Sequence, residues 1–146
     1  MRTLHGLQLM LIVALVFAAT VTAKCLTGTV TVHGWVENLP STATAAEATV
    51  VVGTPKGAFS RTESVSNGEF TVDVAFSTTS SSFLGTDRCH NVPKSVEVKI
   101  VSAGKTYAQK KLRFKDNFFE ETGTYHYRLK QELSLDVPKE RADTTK

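Results

Sequence analysis

Arg61-Thr62-Glu63-Ser64-Val65-Ser66-Asn67-Gly68-Glu69-Phe70-Thr71-Val72-Asp73-Val74-Ala75-Phe76 is the stretch whose reading decides the fold. Phe70, Val72, Val74 and Phe76 alternate with Glu69, Thr71, Asp73 and Ala75, which sends one set of side chains to each face of a strand. Asn67-Gly68 supplies the positive φ of a tight turn, because Asn tolerates the left-handed region and Gly has no Cβ to clash there. The stretch predicts strand, hairpin turn, strand.

The same alternation recurs on both sides of it. Gly28 to Val36 places Val30, Val32 and Val36 opposite Thr29, Thr31, His33 and Trp35, and Gly34 falls on the valine face, where a bulge or a close backbone approach is expected. Glu37 to Glu47 has no apolar period and reads as a connection. Thr49 to Val52 is a short β-branched run suited to a strand buried on both faces, and Gly53 to Gly57 forces a turn. Ser77 to Ser82 is a low-complexity Ser/Thr tract, expected to be a flexible loop. Val96, Val98 and Ile100 alternate with Glu97 and Lys99. From Tyr107 to Phe114, Lys110 shares the parity of Ala108 and Leu112, which predicts a bulge or a sheet edge. Lys115 to Gly123 reads as an acidic loop. Tyr125, Tyr127, Leu129, Leu133, Leu135 and Val137 keep one parity throughout and predict one long strand, ended by Pro138. The expected fold is all-β, a single antiparallel β-sandwich of about seven strands over 24–138.

The N-terminus has Arg2, an uncharged apolar run from Leu9 to Ala19, and small residues at Val21 and Ala23. That order describes a secretory signal peptide over 1–23, and the apolar run is shorter than the roughly 20 residues of a membrane span. The expected location is secreted, extracellular or periplasmic, with no membrane contact after cleavage. Residues 139–146 read as a disordered charged tail. The formal net charge is +3, too small an excess to point to nucleic acid. Cys25 and Cys89 are the two cysteines, and an exported chain with an even count is expected to bridge them.

With those strands in place, Val32-x-Gly34-x-Val36-x-Asn38, Ala48-Thr49-Val50-Val51-Val52, and Arg61-Thr62 leading to Asn67-Gly68-Glu69-Phe70 resemble carboxypeptidase regulatory-like domains. These are small sandwiches of the transthyretin-like (prealbumin-like) type, and the likeness runs from Thr29 to Phe76. Pollen-allergen domains of the olive type look similar, but have more cysteines. The resemblance implies a non-catalytic extracellular accessory domain.

The same fold can carry catalysis. Transthyretin-like hydroxyisourate hydrolases use a His near the first strand, an Arg and a C-terminal Tyr-Arg-Gly-Ser; His33 and Tyr127-Arg128 match in part, but Leu129-Lys130 follows. Tyr125-His126-Tyr127 suggests an iron site, yet strand alternation turns His126 away from both tyrosines. Asp116, Asn117, Glu120 and Glu121 offer oxygen ligands without the spacing of a calcium loop. His33, His90, Asp87 and His126 would carry a small hydrolase if they met in one pocket. The residues lead instead to a binding or accessory module for a protein or cell-surface polymer, with no catalytic, metal or cofactor residue and with Trp35, Phe118 and Phe119 as the contact surface. A carbohydrate-binding module using Trp35 or Tyr107 is the alternative.

Overall fold

A computed structural model of the chain describes residues 25–81 and 87–139. The leader expected over 1–23 and the tail beyond Lys139 lie outside the described residues. Among the described residues eleven strands run in the order β1 (Thr27–Glu37), β2 (Glu47–Thr54), β3 (Gly57–Ser64), β4 (Glu69–Ser77), β5 (Ser80–Ser81), β6 (Asp87–Arg88), β7 (Ser95–Ser102), β8 (Lys105–Arg113), β9 (Phe119–Gly123), β10 (His126–Leu129) and β11 (Leu133–Asp136). They build the expected β-sandwich from a sheet of β4, β1, β10, β11 and β9 and a sheet ordered β3-β2-β7-β8, with β5 and β6 as a separate ribbon.

The period-two pattern explains the core directly. Val30 and Val32 of β1, Val50 and Val52 of β2, Phe70 to Phe76 of β4 and Val96 to Ile100 of β7 turn their apolar parity inward and are fully or almost fully buried. Their polar partners stay on the outside of each sheet.

The stretch Arg61–Phe76 does contain two strands around a tight turn. Asn67 and Gly68 have φ of 54° and 81°, and Ser66 and Glu69 exchange main-chain hydrogen bonds at 2.9 Å. But β3 and β4 are not hairpin partners: β3 pairs with β2, whereas β4 pairs antiparallel with β1 from Thr27↔Ser77 to Trp35↔Glu69. The turn carries the chain from one sheet to the other. Alternation is the same whichever neighbour a strand pairs with, so the pattern defines the strands and leaves their partners open.

The long alternation from Tyr125 to Val137 is also divided. Tyr125 lies at a φ of 62°, β10 runs parallel to the first half of β1 (Thr29↔His126), and β11 runs parallel to its second half (Gly34↔Leu133). Lys130 to Glu132 separates them. The remaining ladders are antiparallel, so these two parallel pairings are the departure from the expected antiparallel sandwich, and the divided segment is one source of the additional strands.

Two segments expected as loops are ordered. Thr78 is fully buried, its hydroxyl donates to the Leu26 carbonyl, and Ser80 and Ser81 pair with Arg88 and Asp87. Within Lys115–Gly123, a short 3-10 turn at Phe114–Asp116 precedes β9, which pairs with β10. Lys110 sits, as its parity indicates, on an edge strand, and the β7–β8 ladder shifts register between Ile100 and Val101.

Candidate functional site

The disulfide fixes one end of the sandwich. Cys25 and Cys89 are bonded, with Cα atoms 5.4 Å apart. Tyr125 Oη donates to the Cys89 carbonyl at 2.6 Å, and buried Asn91 donates its side-chain amide to the Ser77 carbonyl at 2.7 Å. Leu26 and Val92 remain exposed beside this end.

A second surface is the outer face of the sheet containing β1. Thr31 Oγ1 donates to Asp73 at 2.6 Å. Trp35, half-buried, donates its indole N–H to Glu37 at 3.0 Å, and Ser134 Oγ donates to the same carboxylate oxygen at 2.6 Å. These two donors, the Ser134 hydroxyl first and the indole second, hold Glu37 below the ordinary carboxylate value. A hollow of about 120 Å3 lies between His33, Trp35, Thr71 and Glu132.

The third surface is a groove where the two sheets meet along one side. Phe119 turns inward and stacks on Phe114 with ring centroids 4.2 Å apart, while Tyr127 meets Phe114 edge-on at 5.2 Å. Burial, aided by the charge of Glu121 and by Tyr125, pushes the Tyr127 phenol up. In extended chain the residue before Phe119 must face the other way. Phe118 is accordingly 45% exposed. It stands at a groove of about 490 Å3 whose lining includes Leu112, Leu129 and Leu133, with Lys110, Lys130 and Glu132 around them. Asn117, at a φ of 64°, accepts from Lys130 Nζ at 2.5 Å, and the Lys130 amide donates to the Phe118 carbonyl at 3.0 Å. The 3-10 turn and the β10–β11 break are thereby tied together.

Of the three residues expected to form a contact surface, Trp35 and Phe118 are available to solvent. Phe119, at 8% exposure, belongs to the core and is withdrawn from that surface.

The residues considered for chemistry are dispersed. His33 and His126 share the outer face of one sheet, but His126 pairs with Thr29, four positions along β1 from His33 and so about 13 Å away. His90 adjoins the disulfide. Arg128 is paired with Glu120 at 2.6 Å and Arg113 with Asp116 at 3.1 Å, so two of the acidic-loop carboxylates face arginines. Among the described residues, no three His, Cys, Asp or Glu side chains gather as a metal site would need.

The alternation pattern does not reveal the groove itself. Its two traces in the sequence are Lys110 on an apolar parity and three successive polar residues, Lys130-Gln131-Glu132, inside an otherwise alternating segment.

Comparison with protein-family models, with curated proteins and with solved structures finds no match. Fold and site together define a disulfide-closed β-sandwich with a side groove.

Proposed function

We propose that this protein is an exported accessory module that binds a protein partner outside the cytoplasm and performs no catalysis itself. The observation that carries this reading is Phe118, a large apolar side chain left 45% exposed at the mouth of a groove with an apolar floor. An exposed aromatic beside a leucine-lined hollow and a polar rim is the arrangement of an interface anchor, since burying it on association removes apolar area from water. The disulfide supports export, because such bonds persist in oxidising compartments. The resemblance of Thr29–Phe76 to carboxypeptidase regulatory-like domains agrees with an accessory role.

The test is site-directed photo-cross-linking of the full-length protein expressed in its own exporting cell. A photoreactive residue at position 118 should yield a discrete cross-linked protein, and one at exposed Thr62 on β3 should not. No discrete product from 118, or the same product from both positions, overturns the reading.

A second reading rests on Trp35, which stands on an outward sheet face and donates its indole N–H to Glu37. It is a carbohydrate platform, on which sugar rings stack against the indole. Trp35 is the single tryptophan, so its fluorescence reports such binding without interference. A saturable fluorescence change with soluble glycans, together with glycan binding that calorimetry detects in the protein and not in Trp35→Ala, would favour this second reading.

A further inference from the structure

The single tryptophan stands in an acidic surround. On the outer face of the β1 sheet Trp35 pairs with Glu69 of β4 on one side and Ser134 of β11 on the other, and His33, its neighbour on the same face, pairs with Thr71. Glu132 directly precedes β11. The hollow of about 120 Å3 lies among His33, Trp35, Glu69, Thr71 and Glu132. The indole N–H, the ring's one donor, is already given to Glu37. What Trp35 has left to offer a ligand is the negative face of its π system.

The charges on this face are almost all of one sign. Glu37, Glu69, Asp73, Glu120, Glu132 and Asp136 stand against Arg128, which is paired with Glu120; His33 and His126 are the other titratable groups of its strands. The cations bordering the face are engaged elsewhere, since Lys130 donates to Asn117 and Arg61 of β3 is paired with Glu63. Asp73 accepts from Thr31 and Asp136 from Asn38. The carboxylates of Glu69 and Glu132, at the hollow itself, have no hydrogen-bond or ion-pair partner among the described residues. Two carboxylates fall short of the ligand set of a metal. The volume is also well under the about 300–1,000 Å3 of an ordinary small-molecule site, so the hollow suits a single cationic head group.

We propose that the hollow beside Trp35 binds the guanidinium of an arginine side chain presented by the partner protein. This adds a second contact, on a different face from Phe118, and rests on the protein-binding reading for the source of the arginine. The planar cation stacks on the indole, attracted by the ring quadrupole, and its N–H donors serve the unpaired carboxylates of Glu69 and Glu132. A lysine ammonium, compact and strongly hydrated, matches a flat ring and two carboxylates less well. The free amino acid would bring its own carboxylate against Glu37 and Asp136, so the acidic surround favours arginine embedded in a polypeptide.

The probe is acetyl-Gly-Arg-Gly-amide, titrated at low salt into the isotope-labelled, oxidised full chain and followed by the nuclear magnetic resonance signals of the Trp35 indole and the Thr71 amide. Its controls are the same peptide with lysine, the same peptide with citrulline, which keeps the shape and lacks the charge, and free arginine. The arginine peptide should shift both signals saturably, with half-saturation below about 10 mM. The lysine peptide and free arginine should bind at least about threefold more weakly, and the citrulline peptide should leave both signals in place. Glu69→Gln with Glu132→Gln should weaken the arginine peptide by about tenfold. Trp35→Leu, followed at Thr71, should weaken it by about two- to fivefold. The signals of β2 and β7 should stay in place in both variants and so report an intact fold.

No saturable shift by about 10 mM, an equal shift with citrulline, or indifference to loss of the two carboxylates overturns the proposal. So does a Trp35 response to soluble glycans with none to the arginine peptide. A protein cross-linked from position 118 while Trp35 ignores every peptide would remove this site and leave the protein-binding reading standing. A saturable arginine response with no cross-link from 118 would keep the cation site and overturn its assignment to a protein partner.

Discussion

Gly34 and Leu133 touch through an absent side chain. They are paired residues of the parallel β1 and β11, and a Cβ built on Gly34 would lie 2.1 Å from the Leu133 carbonyl oxygen. The obstacle is backbone, which cannot rotate away. Gly34→Ala should therefore cost about 2–3 kcal/mol, as overpacking of a tight site does, and displace β11 from β1. Urea unfolding gives the stability loss, and the amide chemical shifts of Leu133–Asp136 should move more than those of β2. Unchanged stability would show that β11 is looser than its pairing implies.

Adjacent phenylalanines should behave oppositely. Phe119 stacks on Phe114 in the core, so Phe119→Ala removes packed apolar area and leaves a cavity, at a cost of about 3–5 kcal/mol. Phe118→Ala removes a side chain that is 45% exposed, and should cost about 1 kcal/mol or less. Denaturation midpoints of the two variants under identical conditions decide the matter, and equal losses would place both rings inside.

Much of the fold follows from parity alone. Phe70, Val72, Val74 and Phe76 are buried because they alternate, and so are Leu129, Leu133, Leu135 and Val137. Parity also hid what it could not encode. Leu129 and Leu133 are an even number of residues apart, so the alternation continues unbroken across Lys130–Glu132 although the strand ends and restarts there. Asn67-Gly68 announces a turn but not that the chain changes sheet, since one pair of hydrogen bonds closes the turn locally whatever happens beyond. Thr78 looked like part of a solvated tract because its hydroxyl finds its partner, Leu26, in a segment 52 residues away. The groove was least legible, being assembled from β8, the 3-10 turn, the end of β10 and β11, four pieces that only tertiary structure brings together.

Acid should expose the bond network on the outer face. The Glu37 carboxylate is held below its ordinary value of 4.5 by the Ser134 hydroxyl and the Trp35 indole. A depressed carboxylate contributes stability that is fully present above the unfolded value and is lost as pH falls through the folded one. The stability difference between the protein and Glu37→Gln should therefore be constant above pH 4.5 and shrink below it. Urea midpoints measured across that range test this, and a difference that persists unchanged into acid contradicts it.

Reduction should weaken the whole domain. The Cys25–Cys89 bond spans a sequence separation of 64, and closing a loop of that length is worth about 4 kcal/mol in the chain-entropy treatment. Cys25→Ser with Cys89→Ser should lower the urea midpoint correspondingly, and adding reductant to the double variant should change nothing more. A midpoint equal to that of the oxidised protein would show that the end of the sandwich is held by Asn91 and Tyr125 instead.

The position of β1 has a consequence in time. It is the first strand of the domain, yet its partners on one side, β10 and β11, are the last; Ser134 reaches Glu37 across 97 residues. A ribosome or a translocation pore that releases the chain from its N-terminus delivers the centre of this sheet long before the strands that complete it. Pairings so distant in sequence are slow to form. The second sheet, whose β2 and β3 are neighbours in the chain, is free to assemble first, and the sandwich closes only when its final strand has emerged.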